Sequence, residues 1–122
     1  MLIKDYYLIN HMTKTGETTV FFITLRADST VYEGHFPAEP ISPGVCNIQM
    51  IKECAELVAG KPLLLNHLQQ CRLTTLITPT KHTQVEVALR LDEKEGTYRL
   101  KATLGKGADC YLELKAELSA EF

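Results

Sequence analysis

The chain has 122 residues, of which 45% are hydrophobic and 23% are charged, with a formal net charge of −2 at pH 7. These values predict one globular domain over residues 1–122, and the lack of any basic run argues against a nucleic-acid partner. No apolar run reaches the roughly 20 residues that a membrane-spanning helix needs. The first residues lack a secretory signal pattern, so we expect a cytoplasmic protein. Four cysteines without C-x-x-C spacing predict reduced, buried thiols and no metal site: Cys46, Cys54, Cys71 and Cys110.

The N-terminal part of the sequence predicts a β-hairpin. Residues 6–12 are rich in aromatic and β-branched side chains, which favour a strand. Residues 14–17 contain a glycine and predict the turn. Residues 18–26 predict the second strand, and its apolar run over residues 20–23 predicts burial on both faces.

A stretch rich in proline and glycine then leads into a predicted helix. Three prolines and two glycines fall within eleven residues, a density that excludes regular structure and fixes the backbone path. His35 lies near the start of this stretch, and the composition becomes helical over residues 45–59, with Pro43 and Gly44 at the helix entry. An imidazole near the free N–H groups of a helix N-terminus suits proton transfer next to a thioester or another acyl carbonyl.

The rest of the sequence predicts the end of this helix and four strands. The helix is apolar on more than one side, which predicts that it is buried, and Gly60-Lys61-Pro62 ends it. We expect a strand over residues 68–77. Apolar and polar residues then alternate in three further segments joined by short turns, which predicts an antiparallel meander with one solvated face; the segments are residues 85–92, 97–104 and 112–121. Three isolated histidines are weak candidates for a catalytic role, because they lack partners at metal spacing: His11, His67 and His82. We expect His82 to be exposed. Arg72 and Lys81 could contact a phosphate group or an acidic carrier protein.

The motif around the proline-rich stretch consists of Gly34-His35-Phe36-Pro37, Pro40-Ile41 and Pro43-Gly44-Val45. It resembles the signature of the bacterial 3-hydroxyacyl-ACP dehydratases of fatty-acid synthesis, with the same spacing and no gap. The likeness continues in Gln70-Cys71-Arg72-Leu73 and in the C-terminal strands, so it covers nearly the whole chain.

This resemblance implies an α+β hotdog fold, in which a curved antiparallel sheet wraps a long central helix. It implies elimination of water from a 3-hydroxyacyl thioester to give a 2-enoyl thioester, with His35 as the base at the α-carbon and the Gly44 N–H on the carbonyl. Three further residues would contact the substrate: Phe36, Pro43 and Val45. The resemblance implies no cofactor, an acyl carrier protein as the carrier of the substrate, and a homodimer or a trimer of dimers with the site between protomers.

The sequence departs from the resembling family at Gln49. The family has an acidic residue fourteen positions after the histidine, and an amide can orient a hydroxyl but cannot donate a proton in its place. Gln49, Glu53 and Glu56 share one face of the predicted helix, where we expect the two glutamates to be solvated or paired with Lys52. Glu53 is an alternative source of the acid, although it lies one helical turn away, or roughly 5–6 Å.

Two alternatives to a dehydratase remain open. The chain could be a non-catalytic or weakly active hotdog subunit that binds acyl-ACP or pairs with an active paralogue, a reading favoured by Gln49. It could also be an acyl thioesterase on the same fold, in which Glu39 or Glu53 would supply the carboxylate.

Overall fold

The computed structural model describes residues 5–29 and 44–120. In these residues a single antiparallel sheet of six strands accompanies one helix, which confirms the predicted α+β class. The elements are β1 (Tyr7–Thr15), β2 (Thr18–Leu25), α1 (Gly44–Ala59), β3 (Leu63–Leu73), β4 (Gln84–Lys94), β5 (Thr97–Lys106) and β6 (Asp109–Ala120). The strand order is β1-β2-β4-β5-β6-β3. His35, Phe36, Pro37, Glu39 and Pro43 lie outside the described residues.

The core lies between the helix and one face of the sheet. Alternate side chains of β2, β4, β5 and β6 are buried, whereas their neighbours on the other face are exposed or half-buried, so the predicted meander is confirmed. The helix contributes Met50, Ile51, Cys54 and Ala55, all fully buried. Burial of an aliphatic side chain stabilises the fold by about 1.5–3 kcal/mol, so this seam holds the helix against the sheet.

The strand predicted over residues 68–77 is displaced in the structure. The observed β3 begins five residues earlier and ends four residues earlier, at Leu63 and Leu73. Register shifts between Leu65 and His67, and between Leu68 and Gln70, interrupt the period of two by which a strand is recognised in a sequence. In the described part of the chain β3 pairs only with β6 and forms an edge of the sheet.

The helix begins one residue before the predicted range and ends where it was predicted to end. Gly60 adopts a φ of +74°, and its N–H donates to the Glu56 carbonyl at 2.8 Å, which closes the last turn. The prediction of a fully buried helix is wrong for the single chain, because Val45 and Leu57 are 73% and 59% exposed. One sheet covers only one side of a helix, so the apolar residues on the other side stay uncovered.

The strand β2 also differs from its prediction. Phe21, Ile23 and Leu25 are buried, but Val20 and Phe22 are only half-buried, so burial is complete on one face and partial on the other.

Within residues 5–29 and 44–120, no helix is long and apolar enough to cross a membrane. The cytoplasmic location stays a prediction.

Candidate functional site

The first turn of the helix is the first described part of the chain after the predicted catalytic histidine. Gly44 is the first helical residue, and the first turn of the helix carries no acidic side chain. The N–H groups of this turn, together with the positive end of the helix dipole, can therefore stabilise a negatively charged oxygen without competition from a carboxylate on the same turn. Val45, predicted to contact substrate, projects from this turn and is largely exposed.

A short N-terminal segment anchors this turn. The Tyr6 hydroxyl donates to Oδ1 of Asn47 at 2.5 Å, and both side chains are buried. Ser29 Oγ donates to Asp5 Oδ1 at 3.2 Å. Asp5 and Tyr6 thus hold the last residue described before the gap and the first turn of the helix after it. The ends of the histidine-bearing stretch are fixed relative to each other by adjacent residues.

Glu53 is buried and bridges two other side chains, which corrects the expectation that it is solvated or paired with Lys52. The residue is 7% exposed, and its carboxylate accepts a hydrogen bond from the Tyr7 hydroxyl at 2.7 Å and another from Nε2 of Gln49 at 2.9 Å. Helical side chains tilt towards the helix N-terminus, so Glu53 reaches back by one turn to the predicted catalytic amide. Although the two residues are one turn apart on the helix, their side chains therefore come within hydrogen-bond distance of each other.

The ionisable groups around Glu53 are held in their protonated forms. Burial, followed by the hydrogen bond to Glu53, raises the pKa of Tyr7 well above its ordinary value of 10.0. Burial and the nearby charge of Glu53 raise the pKa of the Cys54 thiol to about 12, and burial raises the pKa of Cys46. Tyr7 is therefore a hydrogen-bond donor, and these two thiols are not nucleophiles at neutral pH.

Glu56 has a structural role instead. It forms an ion pair with Lys52 at 3.5 Å, as predicted, and its carboxylate accepts a hydrogen bond from the backbone N–H of Leu63 at 2.8 Å. It thereby ties the end of the helix to the start of β3. An open depression of about 450 Å³ lies along this end of the helix, lined by Tyr7, Glu53, Glu56, Leu57, Gly60 and Lys61.

The other candidate residues lie apart from this region or serve packing. His82 is half-buried, not exposed: its Nδ1 accepts the Thr78 N–H at 3.0 Å, and its ring meets the edge of Tyr111. His11 stacks on Phe22. Three others are exposed on the surface: His67, Arg72 and Lys81. In the part of the chain that the structure describes, no group of three or more His, Cys, Asp or Glu side chains could hold a metal ion.

All four cysteines are free thiols, as predicted, but only Cys54 is fully buried and Cys71 is exposed. The prediction of buried thiols is thus wrong for Cys71, because it lies on the edge strand β3. Sequence reasoning missed Tyr6 and Tyr7 as parts of the site. Their partners Asn47 and Glu53 lie 41 and 46 residues further along the chain, a separation that leaves no local pattern.

The chain is similar to known dehydratases in sequence and in structure. The family model described as ApeI-like, ApeI dehydratase, matches residues 11–111. The 3-hydroxyacyl-[acyl-carrier-protein] dehydratase FabZ of Lactiplantibacillus plantarum is 25% identical, over 93% of this chain and 86% of its own. The dehydratase heterocomplex ApeI:P from Xenorhabdus doucetiae superposes with a TM-score of 0.73 at 17% identity, covering 92% of this chain and 96% of the other.

The chain is also similar to the CurK dehydratase, solved as an inactive mutant with asparagine in place of an aspartate. The TM-score is 0.54 at 12% identity, over 99% of this chain and 44% of that chain. These superpositions on solved dehydratases confirm the hotdog fold that the family resemblance implied.

Proposed function

The chain belongs to the ApeI-like dehydratase family, and we propose that it eliminates water from a 3-hydroxyacyl thioester carried by acyl carrier protein. The observation that carries this proposal is the anchored first turn of the helix, whose N–H groups have no partner within the helix and precede an oriented Gln49 amide by about one turn. Such a turn suits a thioester carbonyl, and the amide suits a hydroxyl two carbons away. The name of the FabZ relative specifies a 3-hydroxyacyl substrate, which carries both groups.

In the proposed reaction His35 removes a proton from the α-carbon. The carbonyl oxygen gains negative charge, which the Gly44 N–H and the positive end of the helix stabilise. The bond from the β-carbon to the hydroxyl oxygen then breaks, and the departing oxygen needs a proton to leave as water. Gln49 holds the hydroxyl by a hydrogen bond, and the imidazolium of His35 returns the proton. Protons and electrons balance without a cofactor.

Three further residues are proposed to contact the acyl thioester: Phe36, Pro43 and Val45. Val45 is well exposed beside Gly44, as a residue at the entrance of a binding site would be. We propose a homodimer as the simplest assembly, because the helix of the single chain leaves Val45 and Leu57 uncovered.

A second candidate function is a subunit whose acid comes from a paralogue. Gln49 favours it, because an amide cannot supply a proton, and Glu53 is already bridged to Tyr7 and Gln49. The similar ApeI:P structure is a dehydratase heterocomplex, and the similar CurK dehydratase is inactive with an amide in place of a carboxylate. Glu53 gives a thioesterase no such support, because it is buried and bridged rather than turned towards solvent, and the other candidate carboxylate, Glu39, lies outside the described residues.

The test is hydration of a crotonyl thioester, the reverse reaction, by the purified chain. We expect turnover by the wild type and loss of about 10²-fold or more in kcat for His35→Asn, since a positioned general base contributes on this order. Turnover unchanged in His35→Asn would contradict the proposed role. A wild type that is inactive alone but active after co-expression with a second hotdog chain would establish the second candidate instead.

A further inference from the structure

Three side chains form a continuous hydrogen-bonded bridge beside the proposed site. The Tyr7 hydroxyl, the Glu53 carboxylate and the Gln49 amide are joined by contacts of 2.7 and 2.9 Å, and we call this set the Glu53 bridge. We propose that Tyr7 and Glu53 are positioning residues, which determine the side of the Gln49 amide that faces the substrate hydroxyl. This inference rests on the proposed function and assigns a role to two residues that the mechanism above does not use.

The orientation of the amide follows from the chemistry of its partner. An ionised carboxylate only accepts hydrogen bonds, so the amide must turn its nitrogen towards Glu53. A reversed amide would place its oxygen against a carboxylate oxygen at the same short separation. The hydrogen bond would be lost, and the two oxygens would repel each other. The amide oxygen of Gln49 is bonded to the same carbon as the nitrogen and is therefore turned away from Glu53.

An amide oxygen in this orientation has a definite effect on the reaction. It accepts the O–H of the β-hydroxyl, which directs the hydrogen of that group towards Gln49. The lone pairs of the hydroxyl oxygen are then left for the proton that arrives as the carbon–oxygen bond breaks. An amide nitrogen in the same place would occupy a lone pair and compete with that proton. The bridge therefore favours the productive arrangement.

Tyr7 fixes the bridge to the sheet. It is the first residue of β1 and is paired with Leu25 of β2, so its hydroxyl has a position set outside the helix. A buried carboxylate that lacked this donor would lose part of the compensation for its desolvation, and its position would be less firmly held. The Tyr7 contact thus keeps Glu53 at the distance at which it orients Gln49.

The alternative role for the bridge is to hold the helix against β1 and nothing more. Both roles predict lower stability when the bridge is broken, so stability alone does not separate them. Positioning adds a loss of kcat at nearly constant KM, because the amide acts as the hydroxyl departs and contributes little to binding of the ground state. Glu56 is a matched control: it is a glutamate on the same helix whose carboxylate binds Lys52 and Leu63.

The experiment compares Glu53→Gln, Glu56→Gln and Tyr7→Phe by steady-state hydration of a crotonyl thioester and by thermal unfolding. We expect kcat to fall by about 10-fold or more in Glu53→Gln with KM changed less than about twofold, since small misplacements of positioned groups have effects of this size. Tyr7→Phe keeps the carboxylate and should lose about threefold in kcat, which gives a milder variant if Glu53→Gln folds poorly. Glu56→Gln should lose stability and retain kcat.

The outcomes separate this inference from the proposed function. An active wild type with unchanged kcat in Glu53→Gln and Tyr7→Phe would overturn the inference alone, as would an equal loss in Glu56→Gln. A wild type with no turnover, alone or co-expressed with a second hotdog chain, would overturn the proposed function and the inference together.

Discussion

Replacement of Gln49 by glutamate should give the helix an acid that works near neutral pH. The Gln49 nitrogen lies 2.9 Å from a Glu53 oxygen, so a carboxylate at position 49 would face the Glu53 carboxylate at close range. Two unit charges 4 Å apart repel by about 4 kcal/mol at an effective dielectric constant of about 20. One proton shared by the pair relieves this repulsion, which corresponds to a rise of about three units from a glutamate pKa of about 4.3. Because Gln49 is half-buried and solvent screens part of the repulsion, we expect an apparent pKa of roughly 6 for the pair.

The assay is dehydration of a 3-hydroxybutyryl thioester between pH 5 and 9, followed by the gain of the enoyl absorbance. A positioned general acid contributes about 10²–10⁴-fold, and a newly placed one should give about 10-fold or more in kcat over the wild type at pH 6. The gain should disappear as the pH rises through the apparent pKa of the pair, because the shared proton is then lost. The wild type should lack this ionisation in its kcat profile.

The double variant Gln49→Glu/Glu53→Gln is the matched control. It keeps one carboxyl and one amide on adjacent turns but exchanges them, so the amide donates to the new carboxylate and the repulsion is absent. The pKa of the new carboxyl should then return towards its ordinary range, and the gain at pH 6 should vanish. A folded Gln49→Glu variant with no gain and no new ionisation would refute the placement of residue 49 beside the β-hydroxyl.

Two further predictions concern stability. Tyr6→Phe leaves the buried Asn47 oxygen without its donor, which should cost about 1–3 kcal/mol and lower the melting temperature by roughly 3–12 °C; a change below 1 °C would mean that the hydroxyl does not anchor the helix. The raised pKa of Cys54 predicts that the fold loses stability at alkaline pH. Below pH 9 the thiol is protonated in both the folded and the unfolded chain, whereas between pH 9 and about 12 it ionises only in the unfolded chain. The free energy of unfolding should therefore fall by up to about 1.4 kcal/mol per pH unit in this range. Urea unfolding at pH 8 and 10.5 measures this slope, and an undiminished slope in Cys54→Ala would assign it to other groups.

Local periodicity accounts for the parts of the fold that were predicted from the sequence. The last three strands have strict alternation over eight or more residues, and the helix has an apolar core-facing stripe that ends at Gly60. The predicted position of β3 was displaced because its two register shifts break that alternation. Uncovered apolar residues such as Leu57 could not be distinguished from core residues by composition, since coverage depends on the layer that packs above them.

The sequence predicted only part of the candidate site. Gln49 and Glu53 are four residues apart on a helix, and that spacing already placed them on one face. The burial of Glu53 depends on Tyr7, a residue from another element, and no local rule predicts such a contact. The placement of His35 relative to Gln49 stays a prediction, because it lies outside the described residues.

The source of the leaving-group proton can be decided by the state of assembly. The Glu53 carboxylate accepts hydrogen bonds from Tyr7 and Gln49, so we propose His35 or a carboxyl of another chain as the source of the proton. The uncovered side of the helix and the edge strand β3, with Leu64 47% exposed, offer apolar surface for a second chain. If the native mass is that of a homodimer and that dimer hydrates the thioester, no second kind of chain is required, and we expect His35 both to remove and to return the proton. If turnover appears only in a mixed dimer, a carboxyl of the second chain performs the return, and Gln49 then serves solely to orient the hydroxyl.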